Sequence, residues 1–223
     1  MKPIARAVIF DLDGTLVNSL EDLADCVNTA LAACSLPAHP LASYKYFVGM
    51  GLENLIRSAV PAGTTDALRN DVAVRYRAEY SRHWARKSRP YDGILPMLER
   101  LEAMRVPMAV LSNKSQLFTG AFVKHFFPST PVLSVQGSPA GGTAKPDPAM
   151  ALGIAARMGL DPGDIAFMGD TCTDMDTAGN AGMLAVGVTW GFRPESELVA
   201  HGVKVLLHRP EELFTKVALA PAQ

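Results

Sequence analysis

The sequence is short of cysteine, of long apolar runs and of any excess of charge. Its three cysteines, Cys26, Cys34 and Cys172, are an odd number without metal-ligand spacing, which argues against a disulfide framework and for a reducing compartment. No stretch approaches the ~18 apolar residues of a membrane span. The apolar run within the opening MKPIARAVIFDLDG is too short for the core of a secretory leader, so a soluble, cytoplasmic protein is expected. Twenty-one basic residues face 22 acidic ones for a net charge of −1. No overall field then draws the chain to nucleic acid or an anionic membrane, and a small-molecule partner is expected for a monomer or homodimer. What the chain has in quantity is apolar sequence, 48% of 223 residues, enough to bury one large domain or a domain with a small second unit.

That apolar sequence comes in short runs rich in Val, Ile and Leu, each followed by a turn and a helical pattern. They are Ala7 to Phe10, Pro107 to Leu111, Val132 to Val135, Ile165 to Met168, Leu184 to Val188 and Val203 to Leu207. Apolarity that is continuous rather than alternating predicts strands covered on both faces, and the intervening helices supply the crossovers that parallel neighbours require. The expected fold is a doubly wound parallel α/β sheet. One interval breaks the rhythm. From Leu16 to about Pro90 no strand is expected and helical patterns take over. Ser19 with Asp22 reads as a capping box before Leu20, Leu23, Val27 and Leu31, and Leu68, Val72, Tyr76 and Tyr80 recur four apart after Thr65. The predicted division is a core of residues 1–15 and 90–223 carrying an all-α cap of residues 16–89.

Polar residues gather where the predicted strands end. The first run leads into Asp11 and Asp13, the second into Ser112-Asn113-Lys114, and Ile165 to Met168 leads into Gly169-Asp170 with Asp174 four residues on; the loop after the third carries Lys145-Pro146-Asp147-Pro148. Taken singly, each has an ordinary explanation: an Asp after a strand serves as a turn residue or helix cap, Ser112 as an N-cap, Lys145 as a solvated loop residue, Asp174 as a first-turn acid. Taken together, the carboxyl ends of parallel strands lie along one edge, where such folds bind ligands. Two unit charges ~4 Å apart repel by about 4 kcal/mol at an effective dielectric of ~20, so clustered carboxylates need a cation. Oxygen donors without His or Cys favour a hard ion such as Mg2+, which works beside substrate phosphate. Asp11, nearest the strand end, is placed as a nucleophile, and Asp13, two residues on and on the same side of an extended chain, as general acid and then base. Lys145 and Ser112 are suited to hold phosphate oxygens. Gly14 permits the abrupt turn, and Thr15 offers a hydroxyl to the phosphate or to the turn.

The ordered set AVIFDLDGTLVNS, LSNK, KPDP and GDTCTD resembles the four motifs of the haloacid dehalogenase superfamily, in its phosphatase branch with a helical cap between the first two motifs. The resemblance covers essentially the whole chain. It implies an aspartyl-phosphate on Asp11, acid/base work by Asp13, phosphate held by Ser112 and Lys145, and Mg2+ held by Asp11, the Asp13 backbone carbonyl and Asp170, with Asp174 supporting through water; Thr15 and Asn113 are further candidate substrate-binding residues. The superfamily's dehalogenases lack the second aspartate of the first motif, so Asp13 argues against that chemistry. The segments YKYFVGMGLENL, residues 44–55, and GVTWGFRPESEL, residues 187–198, are similar to phosphoglycolate phosphatases, which implies 2-phosphoglycolate as the small phosphorylated substrate. Gly49 and Gly51 would let a cap loop reach that substrate, and Lys45 and Arg57 are candidate carboxylate binders. The alternatives of the same fold are a β-phosphoglucomutase-like mutase and a pyrophosphatase, and outside enzymes a non-catalytic phosphometabolite-binding protein.

Overall fold

The computed structural model describes residues 2–139 and 142–220. In chain order its strands and α-helices are β1 (Ile4–Ala5), β2 (Ala7–Phe10), β3 (Val17–Asn18), α1 (Leu20–Ala33), α2 (Leu41–Phe47), α3 (Gly51–Ala59), α4 (Asp66–His83), β4 (Arg89–Pro90), α5 (Ile94–Ala103), β5 (Met108–Ser115), α6 (Gln116–Phe126), β6 (Val132–Ser138), α7 (Ala149–Met158), β7 (Ile165–Gly169), α8 (Cys172–Ala181), β8 (Leu184–Val188), α9 (Glu195–Ala200), β9 (Val205–Leu207), α10 (Leu213–Lys216) and β10 (Ala218–Leu219). Six of the strands form one sheet in the order β6-β5-β2-β7-β8-β9, every neighbouring pair parallel. All six expected runs are in it.

The sheet is covered on both faces, which is why its strands read as unbroken apolar sequence. Val8 and Phe10 of β2 pack into one cluster with Met108, Val110, Ala166, Met168, Val186 and Val188. Ala7 and Ile9, pointing the other way, join Ala109, Leu111, Ile165, Phe167 and Ala185 in a second cluster closed by Ile154, Met175 and Leu198 of α7, α8 and α9. The first cluster continues without a break through Leu12 and Leu16 into Leu20, Leu23, Val27 and Leu31 of α1 and Val72, Tyr76 and Tyr80 of α4. The helical layer is thus packed onto the sheet's own core.

Two local expectations, and the ordinary explanation of Ser112 as a helix cap, do not hold in the fold. The interval from Leu16 to Pro90 is not free of strand: β3 and β4 pair antiparallel, Val17 with Pro90 and Asn18 with Arg89, tying together the two ends of the helical insertion. Ser19 and Asp22 do not form a capping box. The Ser19 hydroxyl donates to Asp13 Oδ1, and Asp22, 2% exposed, accepts from the Lys87 and Ser88 backbone N–H groups and the Ser88 hydroxyl at 2.7–3.1 Å. Ser112 is not an N-cap either, because β5 runs on to Ser115 and α6 begins only at Gln116. At the start of α4 the Thr65 side chain accepts from Leu68 N at 3.3 Å as an N-cap.

Candidate active site

β2 is the central strand on which the site is built. Asp11 prolongs its pairing by one residue, its N–H donating to Met168 O at 2.9 Å, so the carboxylate leaves a rigid strand end. The chain then turns sharply. Leu12 O accepts from the N–H groups of Thr15, Leu16 and Val17, and Gly14 takes φ +92°. A Cβ at Gly14 would overlap the Asp170 carboxylate, so glycine is needed there both for its backbone and for the close approach.

Asp11, Asp170 and Asp174 offer carboxylate oxygens that all lie within 4.8 Å of one another, and all three residues are buried. Lys145 Nζ sits between two of them, 2.6 Å from Asp11 Oδ1 and 2.6 Å from Asp174 Oδ1. Two of the three carboxylates share this one lysine, and Asp170 has no cation beside it among the described residues. Burial, helped by Asp174 and Asp13, raises the Asp11 carboxyl from its ordinary 3.8 to about 7 even though Lys145 pulls it down. Burial together with Asp174 and Asp11 pushes Asp170 well up as well, against the Phe192 N–H and Thr15 hydroxyl that favour its charge. Burial works against the Lys145 ammonium, but Asp11 and Asp174 overcome it and raise its affinity for the proton. The remaining contacts fix geometry. Asp170 accepts from Thr15 Oγ1 at 3.1 Å and Phe192 N at 2.8 Å. Asp174 completes a capping box at the start of α8, accepting from Thr171 N and Oγ1 at 3.0 and 2.7 Å.

Asn113 joins three segments. Its side-chain amide donates to Lys145 O at 3.0 Å and accepts from Lys145 N at 2.8 Å, and it also donates to Gly49 O of the helical layer at 2.9 Å. Ser112, 2% exposed, accepts from Lys114 N at 3.2 Å. Asp13 is held apart from the buried cluster: Lys114 Nζ donates to its two oxygens at 2.8 and 3.0 Å, and Ser19 donates to Oδ1. The Lys114 ammonium in turn lies 4.4 Å from the ring centre of Phe122 and 5.0 Å from that of Tyr80, within cation–π range.

A cavity of about 430 Å3 opens over these groups, between the sheet edge and the helical layer. Asp11, Asp13, Ser112, Asn113, Lys114 and Lys145 form its floor, and Leu23, Val48, Gly49, Gly51, Leu52, Leu55, Tyr76 and Tyr80 come from the layer above. The structure therefore brings together Asp11, Asp13, Ser112, Asn113, Lys145, Gly49 and Gly51 around one cavity, with Asp170 and Asp174 beneath it. Gly49 and Gly51 have φ of +117° and +78°, where glycine is favoured.

Thr15, whose hydroxyl the sequence offers to the phosphate or to the turn, is fully buried, donates that hydroxyl to Asp170 and does not line the cavity. Asn113 borders the cavity, but its amide is occupied by backbone partners, so it organises the site. Asp174 makes a direct ion pair with Lys145, a contact not expected from the sequence. Neither Lys45 nor Arg57 lines the cavity, and Arg57 instead donates to Asn54 at 2.7 Å. Lys114 was not foreseen in any role. Its signal was available, since it stands two residues after Ser112 in an extended strand and so on the same side. Tyr76 and Tyr80 were visible as helix periodicity, which does not say what the buried stripe faces.

Comparison with known proteins identifies the family. The family model described as haloacid dehalogenase-like hydrolase matches residues 8–188. A phosphoglycolate phosphatase of Mannheimia succiniciproducens is 36% identical over 199 residues, 84% of this chain and 87% of that protein. One from Thiobacillus denitrificans is 30% identical over 223 residues, 95% of this chain and 96% of its own. Among solved structures, that of a predicted phosphoglycolate phosphatase from Haemophilus somnus 129pt superposes with a TM-score of 0.89 at 27% identity, covering 95% of this chain and 97% of the other. The α/β fold, the carboxylates gathered at the end of its central strand and these matches place the chain in the haloacid dehalogenase-like hydrolase family.

Proposed function

We propose that the chain is a Mg2+-dependent phosphomonoester hydrolase that works through an aspartyl-phosphate on Asp11, with residues 16–89 acting as a cap over a core of residues 1–15 and 90–223. The observation that carries this reading is the buried Asp11 carboxylate at the floor of the cavity, with Asp170 and Asp174 oxygens within 4.8 Å and Lys145 at 2.6 Å. The relatives' names give phosphoglycolate, and 2-phosphoglycolate is the first substrate to test. The proposed setting is the cytoplasm, as monomer or homodimer.

A divalent ion fits the donor set. One lysine does not neutralise three buried carboxylates, burial first and the neighbouring carboxylates second raise Asp11 and Asp170 above their ordinary range, and oxygen-only donors suit Mg2+. Asp11, Asp170, the Asp13 backbone carbonyl and Asp174 would hold it. When bound, it supplies positive charge that offsets the phosphate's own and draws the ester against the nucleophile.

The chain's residues divide the rest. An Asp11 oxygen attacks phosphorus as the bond from phosphorus to the ester oxygen breaks, and Asp13 gives a proton to the departing oxygen. Asp13 then takes a proton from water as the water oxygen attacks the same phosphorus, which frees the Asp11 carboxylate and releases inorganic phosphate. Lys145 and Ser112 hold phosphoryl oxygens during both steps, and Lys114 with Ser19 aims Asp13. Phosphate release from 2-phosphoglycolate and from p-nitrophenyl phosphate tests the reading. EDTA should stop it, Mg2+ restore it, and acid quenching should trap a phosphorylated wild-type chain but no phosphorylated Asp11→Asn chain. Undiminished release by Asp11→Asn would refute it.

A further inference from the structure

The cavity is larger and more apolar than a short phosphorylated acid needs. Its volume of about 430 Å3 falls among sites of ~300–1,000 Å3 that enclose drug-sized ligands. Above the polar floor its walls are Leu23, Val48, Leu52, Leu55, Tyr76, Tyr80 and Phe118. The aromatic part is ordered: Tyr76 and Tyr80 stack with ring centres 5.3 Å apart, and Phe118 meets Tyr80 edge-on at 4.8 Å. Tyr80 also carries a buried hydroxyl without a hydrogen-bond partner among the described residues, and Arg77, Ser81, Ser115 and Thr171 add polar groups to a lining that is otherwise mostly apolar.

Its cations are already engaged. Lys145 is paired with Asp11 and Asp174, and Lys114 with Asp13. Lys45 and Arg57 stand outside the lining, which leaves Arg77, exposed on α4, as the other basic residue along it. A carboxylate seated among the leucines would lose hydration without a buried cation to replace it.

From this, and resting on the hydrolase reading above, we infer that the preferred substrate is a phosphomonoester of an alcohol with an apolar body, of aryl or long-alkyl size, and that a two-carbon acid phosphate fills the site poorly. The alcohol lies against Leu52, Leu55, Tyr76 and Phe118 while its phosphate rests on the polar floor. Burial of each added methylene should then raise kcat/KM by up to about fourfold until the cavity is full.

The test is a series of ethyl, butyl, hexyl and benzyl phosphate, which holds the leaving alcohol's chemistry nearly constant, run beside 2-phosphoglycolate with Mg2+. We expect kcat/KM to climb at least about tenfold from ethyl to hexyl, with hexyl and benzyl phosphate above 2-phosphoglycolate. Leu52→Ser should lower the benzyl-to-ethyl ratio by roughly tenfold, the scale of losing one leucine contact. A flat alkyl series with 2-phosphoglycolate turned over fastest would overturn the inference and leave the hydrolase reading standing, all the more if Arg77→Gln removed that preference. Absence of phosphate release from every probe would overturn both.

Discussion

Replacing Asp11 by asparagine in the metal-free protein should make it more stable at neutral pH while removing its activity. The carboxyl of Asp11 is raised by burial, with Asp174 and Asp13 adding to the effect, from 3.8 to about 7. A group whose folded pKa is raised in this way holds its proton longer in the folded state than in the unfolded one, so folding binds protons between pH ~4 and ~7. Stability is therefore lost as pH rises through that window, and the whole penalty is present above it. Its size follows from the difference between the two values, roughly 4 kcal/mol at pH 8, with more than half of it gone by pH 5. Asparagine carries no charge and has nearly the same shape, so it escapes the penalty but forfeits part of the Lys145 contact at 2.6 Å. For a chain of this length 1 kcal/mol moves Tm by about 2–4 °C, and a net gain of about 5–10 °C is expected at pH 8. Thermal unfolding in EDTA, wild type against Asp11→Asn, should show the gap shrinking as pH falls to 5. Saturating Mg2+ should close the gap at pH 8 by stabilising the wild type, because ion binding is linked to the native carboxylates. A destabilised Asp11→Asn chain, or a gap that does not change with pH, would mean that the acidic cluster is already neutralised by Lys145 and needs no ion.

Two further substitutions probe the lysines. Lys145→Met removes the cation shared by Asp11 and Asp174 and should cost about 3–5 kcal/mol in urea unfolding of the metal-free protein at pH 8, with kcat falling by at least about 10²-fold; unchanged kcat would put Lys145 outside the reaction. Lys114→Met leaves Asp13 without its ion-pair partner and should lower kcat by about 10²-fold and change the pH–rate profile, since proton transfer by a mis-aimed carboxylate is impaired. A purely structural lysine would lower Tm and leave that profile in place.

The sheet was legible because its strands are apolar on both faces, and that pattern has no helical reading at such lengths. β3 and β4 were not legible, since two residues carry no periodicity. Their pairing is a property of where α1 leaves the sheet and where the chain returns after α4. The misread capping box shows the same limit from another side. Ser19 and Asp22 have the right spacing, but Asp13 captures the Ser19 hydroxyl and the 87–88 backbone captures the Asp22 carboxylate, so partners distant in sequence outcompete a local cap. Thr15 was legible as a hydroxyl near the site and not as one directed at Asp170, because only the fold sets the two 3.1 Å apart.

Asp174 explains why local rules and function were hard to separate. It is the third residue of a helix with a threonine N-cap, where a carboxylate belongs for reasons of helix chemistry alone. One of its oxygens serves that cap, accepting from Thr171, while the other pairs with Lys145 at 2.6 Å. The cap fixes the direction of the oxygen that faces the site, so the ordinary role is the means by which the chemical one is achieved. A residue type that satisfies both demands is predicted equally well by either. Only the parallel order β5-β2-β7, which sets the ends of three distant segments side by side, distinguishes them.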